Sequence, residues 1–250
     1  EPAFAAVRHV HRRMSFHEAD SDLARLRAAW AGAEVAVDPE TVTVLRLAIA
    51  LHERSGGLFD VTIGRELVRG GFLPRLGIHD LRAYPGRSRD IEIVDDRRIR
   101  CRRPALIDLG GIAKGYAVDR AVETLVACGV GEGLVNAGGD LRGFGPRPWP
   151  VALRQADGRI GRSLALTDGA LASSSNLLDR RRRNGRTWSP HLGRGRRPVL
   201  SDATVTVAAE SCALADAMTK VAMADPDLAQ AILAPSGGCL LNAAHSGSAG

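Results

Sequence analysis

The residues best placed to do chemistry fall in a few short stretches. The densest is DLGGIAKGYAVD, Asp108 to Asp119. Its letters predict a strand ending at Asp108, a turn on two glycines and a helix starting close to Lys114. Free backbone N–H groups at such a helix start, with a lysine nearby, suit a phosphate or diphosphate. The spacing is neither GxGxxG nor a Walker loop, and an ordinary strand-helix turn would use the same letters. A second glycine turn, Asn136-Ala137-Gly138-Gly139-Asp140, lies between apolar stretches. Two glycines let the backbone approach a ligand closely, and Asn136 and Asp140 offer polar handles. A tight turn accounts for it equally well.

Asp216 sits near the start of a predicted helix, with Thr219 and Lys220 one turn on. Asp and Thr could hold Mg²⁺, and Lys220 lies within reach of Asp216. The bland alternative is a surface ion pair. The neighbours Cys212, Ala213, Leu214, Ala215, Ala217, Met218, Val221 and Ala222 are apolar, however, and a buried charge needs a partner. His191, in TWSPHLG, could act as a general base or donate to a phosphate, or be structural like most lone histidines. The run Arg180 to Arg183 lacks interleaved aromatics and any helix-turn-helix pattern, so it reads as a solvated loop rather than a nucleic-acid site.

These residues need elements to position them. Asp20 or Ser21 can cap a helix carrying Leu23, Leu26 and Trp30, and Asp38-Pro39 opens another through Val42, Leu45, Ile49 and Leu51. SGGLFDVTIGRELVRGGF predicts an ordered loop and a short helix. IEIVDDRRIRC predicts a hairpin turning at Asp95-Asp96, with ALIDL as a further strand. A helix from Ala113 to Cys128 ends at Gly129. LVNAGGDLRGFG, VALR and SLALTDGALASS read as successive strands, followed by the arginine-rich loop. The strand ATVTVAA, the helix LADAMTKVAMAD, a short helix and the strand CLLNA complete the chain. Strands cluster in the middle and helices flank them irregularly, which favours α+β over a doubly wound parallel sheet.

The 250 residues, 45% hydrophobic, suffice for a sizeable core, as one domain over 1–250 or two intimately packed subdomains. No apolar run reaches the length of a membrane span. Cys101, Cys128, Cys212 and Cys239 lie far apart with no CxxC, which argues against a zinc site or disulfide framework. EPAFAAVRHVHRR lacks the apolar stretch of an export signal. That favours a cytoplasmic location, with a periplasmic one open if a signal or lipobox was removed. The net charge of +6 is spread along the chain. Of 34 basic residues only Lys114 and Lys220 are lysines, and both fall in stretches that could meet phosphate.

Taken in order, MSFHEADSDLARL, SGGLFDVTIG, ALIDLGGIAKGYAVDRA, LVNAGGDLRGFG, LALTDGALASSSN, SPHL and ESCALADAMTKVA resemble the ApbE family, the FAD:protein FMN transferases. The resemblance covers about residues 14 to 225. DLGGIAKGYAVD followed by VNAGGD is its most specific part. It implies an α+β, T-fold-like architecture with mostly antiparallel central sheets flanked by helices. It also implies Mg²⁺-assisted transfer of FMN from FAD to a Thr or Ser hydroxyl of an acceptor flavoprotein, releasing AMP. FAD hydrolysis and non-catalytic FAD binding are the alternatives.

By the same resemblance Leu58, Phe59, Asp60, Asp108, Lys114, Asn136, Ala137, Gly138 and Gly139 contact FAD, and His17 falls where an aromatic usually stands. The Gly111 carbonyl and Asp216 match metal ligands, and His191 matches a histidine that assists catalysis. Lys220 stands where the family places a metal-binding threonine, which leaves Thr219 to shift into that role or Lys220 to supply part of the cation's charge. The family's HIIDP becomes HLGRG here.

Overall fold

A computed structural model of the chain describes residues 1–154, 159–176 and 179–242. Proline at the first turn starts helix α1 (Pro2–Met14), which buries Val10 and Met14. The sequence reading assigned no element there. Ser21 caps α2 (Asp22–Ala28) by accepting from the Ala24 N–H at 3.1 Å. Leu23 and Leu26 are buried as expected, but Trp30 is 79% exposed. Ala29 leaves the helix in extended conformation, so Trp30 never reaches the face that helical spacing would give it.

Strand β1 (Glu34–Ala36) precedes α3 (Pro39–Arg54), whose cap Asp38 accepts from Glu40 N–H at 2.9 Å. The glycine-rich loop and short helix α4 (Gly64–Gly70) follow. β2 (Ile91–Ile93) and β3 (Arg98–Cys101) form the expected antiparallel hairpin, and β1 pairs with the other edge of β3. ALIDL, expected as a strand, joins no sheet. Its backbone runs beside the glycine-rich loop instead, with Gly64 N–H donating to Leu106 O at 3.0 Å and Asp108 N–H to Val61 O at 2.8 Å. These bonds anchor the loop while Leu106, Ile107 and Leu109 drop into the interior.

Helix α5 (Ala113–Ala127) ends where Gly129 takes a φ of +86°, the left-handed conformation that favours glycine. The rest of the chain supplies β4 (Gly133–Ala137), β5 (Asp140–Phe144), β6 (Trp149–Arg154), β7 (Ile160–Leu166), β8 (Gly169–Ser175), β9 (Arg181–Arg183), β10 (Arg186–Trp188), β11 (Thr204–Ala209), helices α6 (Cys212–Ala224) and α7 (Pro226–Leu233), and β12 (Cys239–Asn242). Ala243, expected to end this last strand, lies outside the described residues. Five strands order as β12-β11-β8-β5-β4, every neighbour antiparallel, and β6 pairs with β7 in a separate ribbon. The architecture is α+β.

The arginine run is no loop among the described residues. Asn184 and Gly185, both at positive φ, turn β9 back on β10 as a tight hairpin. The Arg181 guanidinium stacks 4.8 Å from the Phe72 ring centroid, and its N–H donates to the Gly71 carbonyl, fastening the hairpin to the end of α4.

Helix α6 is apolar nearly all round and is buried along most of its length, packed against α5, β8 and β11. At Gly115 a Cβ would stand 2.1 Å from the Cys212 carbonyl oxygen, so α5 and α6 meet there backbone to backbone. The buried Asp119 carboxylate seals the contact by accepting from the Cys212 and Ala213 N–H groups at 2.9 and 2.8 Å, where a helix end favours negative charge. Among the described residues, no helix is long and apolar enough to cross a membrane.

Candidate functional site

The anchored ALIDL segment delivers Asp108, Gly110 and Gly111 to the floor of a cleft of about 720 Å³. Met14, Phe16, Leu58 and Phe59 give it an apolar wall, and Lys114, His191, Arg196 and Lys220 give it polar groups. This is the usual make-up of a small-molecule site. Gly111 leaves room for the Lys220 stem: a Cβ there would stand 3.2 Å from Cε and 3.3 Å from Cγ. Burial pushes the Asp108 carboxyl up to about 6, and the nearby Asp216 charge adds to it. The Gly110 N–H, His17 and Lys220 pull the other way.

Behind the floor lies a cluster of four charges. Asp216 on α6 is fully buried, and its Oδ1 is 3.0 Å from Lys220 Nζ and 3.9 Å from Lys114 Nζ. Its Oδ2 approaches the Gly115 N–H at 3.4 Å, in the first turn of α5, where Ile112 supplies no side-chain cap. Lys114 also donates to Asp140 Oδ2 at 2.6 Å. Burial lowers the Lys114 pKa, but Asp216 and Asp140 outweigh it and hold the ammonium above its ordinary value. Asp140 is raised by burial and by repulsion from Asp216. Lys220 spends its three N–H bonds on Ser174 Oγ at 2.7 Å, Thr219 Oγ1 at 2.9 Å and Asp216 Oδ1.

The fit of a divalent cation can be judged from these donors. The Thr219 hydroxyl already donates to the Asp216 carbonyl at 2.7 Å and lies 2.8 Å from Ser174 Oγ. An ammonium, which has no lone pair, stands among the oxygens. The donor set does not fit Mg²⁺.

His191 is buried at the cleft, positioned by Ser189 Oγ, which accepts its backbone N–H at 3.0 Å. Ser189 in turn donates to Asn176 Oδ1 at 2.7 Å. Burial lowers the imidazole pKa to about 4, helped by Lys220, while a hydrogen bond with the Ser175 backbone opposes the change. The ring is therefore neutral at physiological pH.

Asp60 receives Thr62 N–H, Thr62 Oγ1 and Ser88 Oγ on Oδ1 at 2.8, 2.6 and 2.8 Å. Arg196 binds its Oδ2 at 2.6 Å and Glu66 Oε2 at 3.1 Å. Burial raises the Asp60 pKa, but Arg196 and the hydroxyl and amide donors outweigh it, leaving the carboxylate below its ordinary range.

The fold thus brings His17, Leu58, Phe59, Asp60, Asp108, Gly111, Lys114, Ala137, His191 and Lys220 to one cleft, with Asp216 and Thr219 buried behind it. Asn136, Gly138 and Gly139 form an exposed turn in which Asn136 Oδ1 accepts the Gly139 N–H at 3.0 Å. Sequence reasoning missed Arg196, Ser174 and Phe16. Phe16 is the buried aromatic of MSFH, edge-on to the exposed His17, with the Arg27 guanidinium 5.2 Å from its ring centroid. The departure from HIIDP was the one available signal for Arg196, since a changed loop beside His191 needs a new anchor.

Comparison with known proteins converges on one family. The profile of the ApbE family matches residues 1–239. A FAD:protein FMN transferase of Rhodobacter capsulatus is 33% identical over 232 residues, covering 85% of this chain and 44% of the relative. One from Vibrio cholerae is 27% identical over 241 residues, covering 84% of this chain and 68% of the relative. The chain therefore spans less than half the length of the first of these relatives. The crystal structure of the ApbE protein of Thermotoga maritima superposes with a TM-score of 0.82 at 27% identity, covering 95% of this chain and 83% of that one. The apo Pseudomonas stutzeri flavinyl transferase ApbE gives 0.80 at 25% identity, covering 95% and 79%. Matched by the family's profile over residues 1–239 and sharing its DLGGIAKG turn and antiparallel sheet, this chain belongs to the ApbE family.

Proposed function

We propose that the cleft binds FAD and that the chain transfers the FMN half onto a Thr or Ser hydroxyl of an acceptor flavoprotein, releasing AMP. One observation carries the reading most. Two ammonium groups from two different helices converge on a single buried carboxylate oxygen behind the floor of a largely apolar cleft. That arrangement suits a planar apolar ring joined to a diphosphate. Family membership and the activity named for the relatives support it.

In this reading Phe16, Leu58 and Phe59 line the flavin's side, while Lys114 and Lys220 offset the diphosphate charge. The acceptor hydroxyl oxygen attacks the phosphorus of the FMN half, and the bond to the AMP oxygen breaks with its electron pair leaving on AMP. The hydroxyl proton passes to the neutral His191 ring. A pKa near 4 makes that ring a weak base, but a bound diphosphate beside Lys220 opposes the part of the lowering that Lys220 causes. Catalysis here is mostly positioning and charge neutralisation, as in phosphoryl transfer generally. The Mg²⁺ that the family implies has no fitting donor set among the described residues.

Incubation with FAD and candidate acceptor flavoproteins tests the proposal. Covalent flavin fluorescence on a denaturing gel, with one AMP released per flavin attached, is the expected result. FMN and AMP released without acceptor, and no covalent flavin with any acceptor, would mark a hydrolase instead. FAD binding with no turnover would mark a binding module.

A further inference from the structure

We infer that Lys220 is a built-in cation: its ammonium occupies the oxygen cluster where a divalent ion would sit, so that this chain engages the FAD diphosphate without divalent metal. The inference rests on the FAD reading of the cleft and goes beyond it by changing the chemistry of the site.

The geometry is that of a cation held by oxygens. Nζ stands 2.7 Å from Ser174 Oγ, 2.9 Å from Thr219 Oγ1 and 3.0 Å from Asp216 Oδ1. These ligands come from β8 and α6, two elements packed together, so the position is fixed by the fold and not by a flexible stem alone. The stem itself lies across Gly111, against the backbone turn that precedes α5, and Lys220 still lines the cleft. With its three N–H groups held by these oxygens, the ammonium acts on a ligand in the cleft through its charge.

Charge arithmetic supports the substitution. Asp216 and Asp140 carry two negative charges, and Lys114 and Lys220 carry two positive ones within hydrogen-bonding or ion-pair distance. These four groups balance one another, and Asp108, within the field of Lys220 and Asp216, adds one carboxylate at the cleft floor. A divalent ion added at Asp216 would meet two ammonium groups within a few ångströms, a repulsion that a low-dielectric site magnifies. A lysine suits the task better than an arginine, because its compact charge on a thin stem fits over Gly111, which a planar guanidinium would not. Thr219 is one position off the family's threonine, and its hydroxyl is spent inside the cluster.

The test compares wild type with Lys220→Thr, which restores the family's residue, and Lys220→Met, which keeps the stem without the charge. Calorimetric titration with MgCl₂ alone, and FAD fluorescence quenching in EDTA or in Mg²⁺, supply readouts apart from turnover. Wild type is expected to show no saturable Mg²⁺ heat and the same FAD affinity in both buffers. Lys220→Met should bind FAD roughly 10- to 100-fold more weakly in either buffer, the loss of one positive charge beside the diphosphate. Lys220→Thr should lose affinity similarly in EDTA, recover it in Mg²⁺, and gain a Mg²⁺ heat that Asp216→Asn abolishes.

Wild-type FAD affinity lost in EDTA and restored by Mg²⁺, or a Mg²⁺ heat in wild type that Asp216→Asn removes, would overturn the inference. If either Lys220 variant is poorly folded, the wild-type titrations still decide it. Should wild type fail to bind FAD at all, the functional reading fails. The Mg²⁺ titrations of wild type and Lys220→Thr would then judge the built-in cation separately.

Discussion

Gly115→Ala is the sharpest test of how the site is assembled, because two physical effects predict opposite signs. Helix propensity alone favours alanine over glycine inside α5 by about 1 kcal/mol. The tertiary structure opposes it. The new Cβ would stand 2.1 Å from the Cys212 carbonyl oxygen, 2.5 Å from its carbonyl carbon and 2.8 Å from Ala213 N. All three are backbone atoms at the start of α6, so no rotamer change relieves the overlap. Ordinary contact begins near 3.4 Å, so the two helices must part by about 1.3 Å. Forced overpacking of a dense interior costs up to about 3 kcal/mol. The net expectation is a loss of about 2 kcal/mol, read as a lower urea midpoint at unchanged m value and a melting point down by roughly 4–8 °C. FAD affinity should fall as well, because Gly115 N–H faces Asp216 and Lys114 is its neighbour. A variant as stable as wild type, or more stable, would refute the backbone crossing of α5 and α6.

Other residues yield further expectations. The folded chain holds His191 neutral down to about pH 4. The unfolded chain takes up that proton near pH 6.5, so stability should rise by roughly 3 kcal/mol between pH 4 and 6.5. His191→Gln should flatten that part of the profile in denaturation titrations, and parallel curves would count against it. Arg196→Ala leaves Asp60 to its Thr62 and Ser88 donors and Glu66 to Arg65 alone, and should cost about 2 kcal/mol in urea unfolding. Arg196→Lys should rescue little, since a point charge cannot fork to both; full rescue would contradict the forked geometry. Thiol titration at pH 7.5 should find Cys128 reacting first, because it is exposed. Burial pushes Cys101 up to about 11 and raises Cys212 as well, so rapid labelling of either in the native protein would oppose their placement.

The parts of the fold legible in the sequence are those set by neighbours along the chain. Ser21 and Asp38 cap helices because a side-chain oxygen two or three residues ahead of a free N–H can reach it without tertiary help. The Asp95-Asp96 turn and the Gly129 stop follow from local backbone preferences in the same way. The failures have equally definite causes. ALIDL has a strand's letters, yet its backbone partners are Val61 and Gly64, some forty residues earlier. Trp30 lost its helical face through one extended residue, Ala29. The arginine run read as a loop because four like charges mask a hairpin whose signal was the Asn184-Gly185 pair.

The chemistry on offer is written along the chain: two lysines, in segments that also carry Asp108, Gly111 and Asp216, and a four-residue spacing that lets Lys220 reach Asp216 along one helix. What these groups do together depends on packing between distant elements. Ser174 joins Lys220 from 46 residues away, and Arg196 reaches Asp60 across 136. Lys114 meets Asp140 across the α5–sheet contact. Helical spacing is a property of the backbone and repeats wherever the helix forms. The position of a charge against a distant oxygen depends instead on how whole elements pack, which no stretch of neighbouring residues encodes.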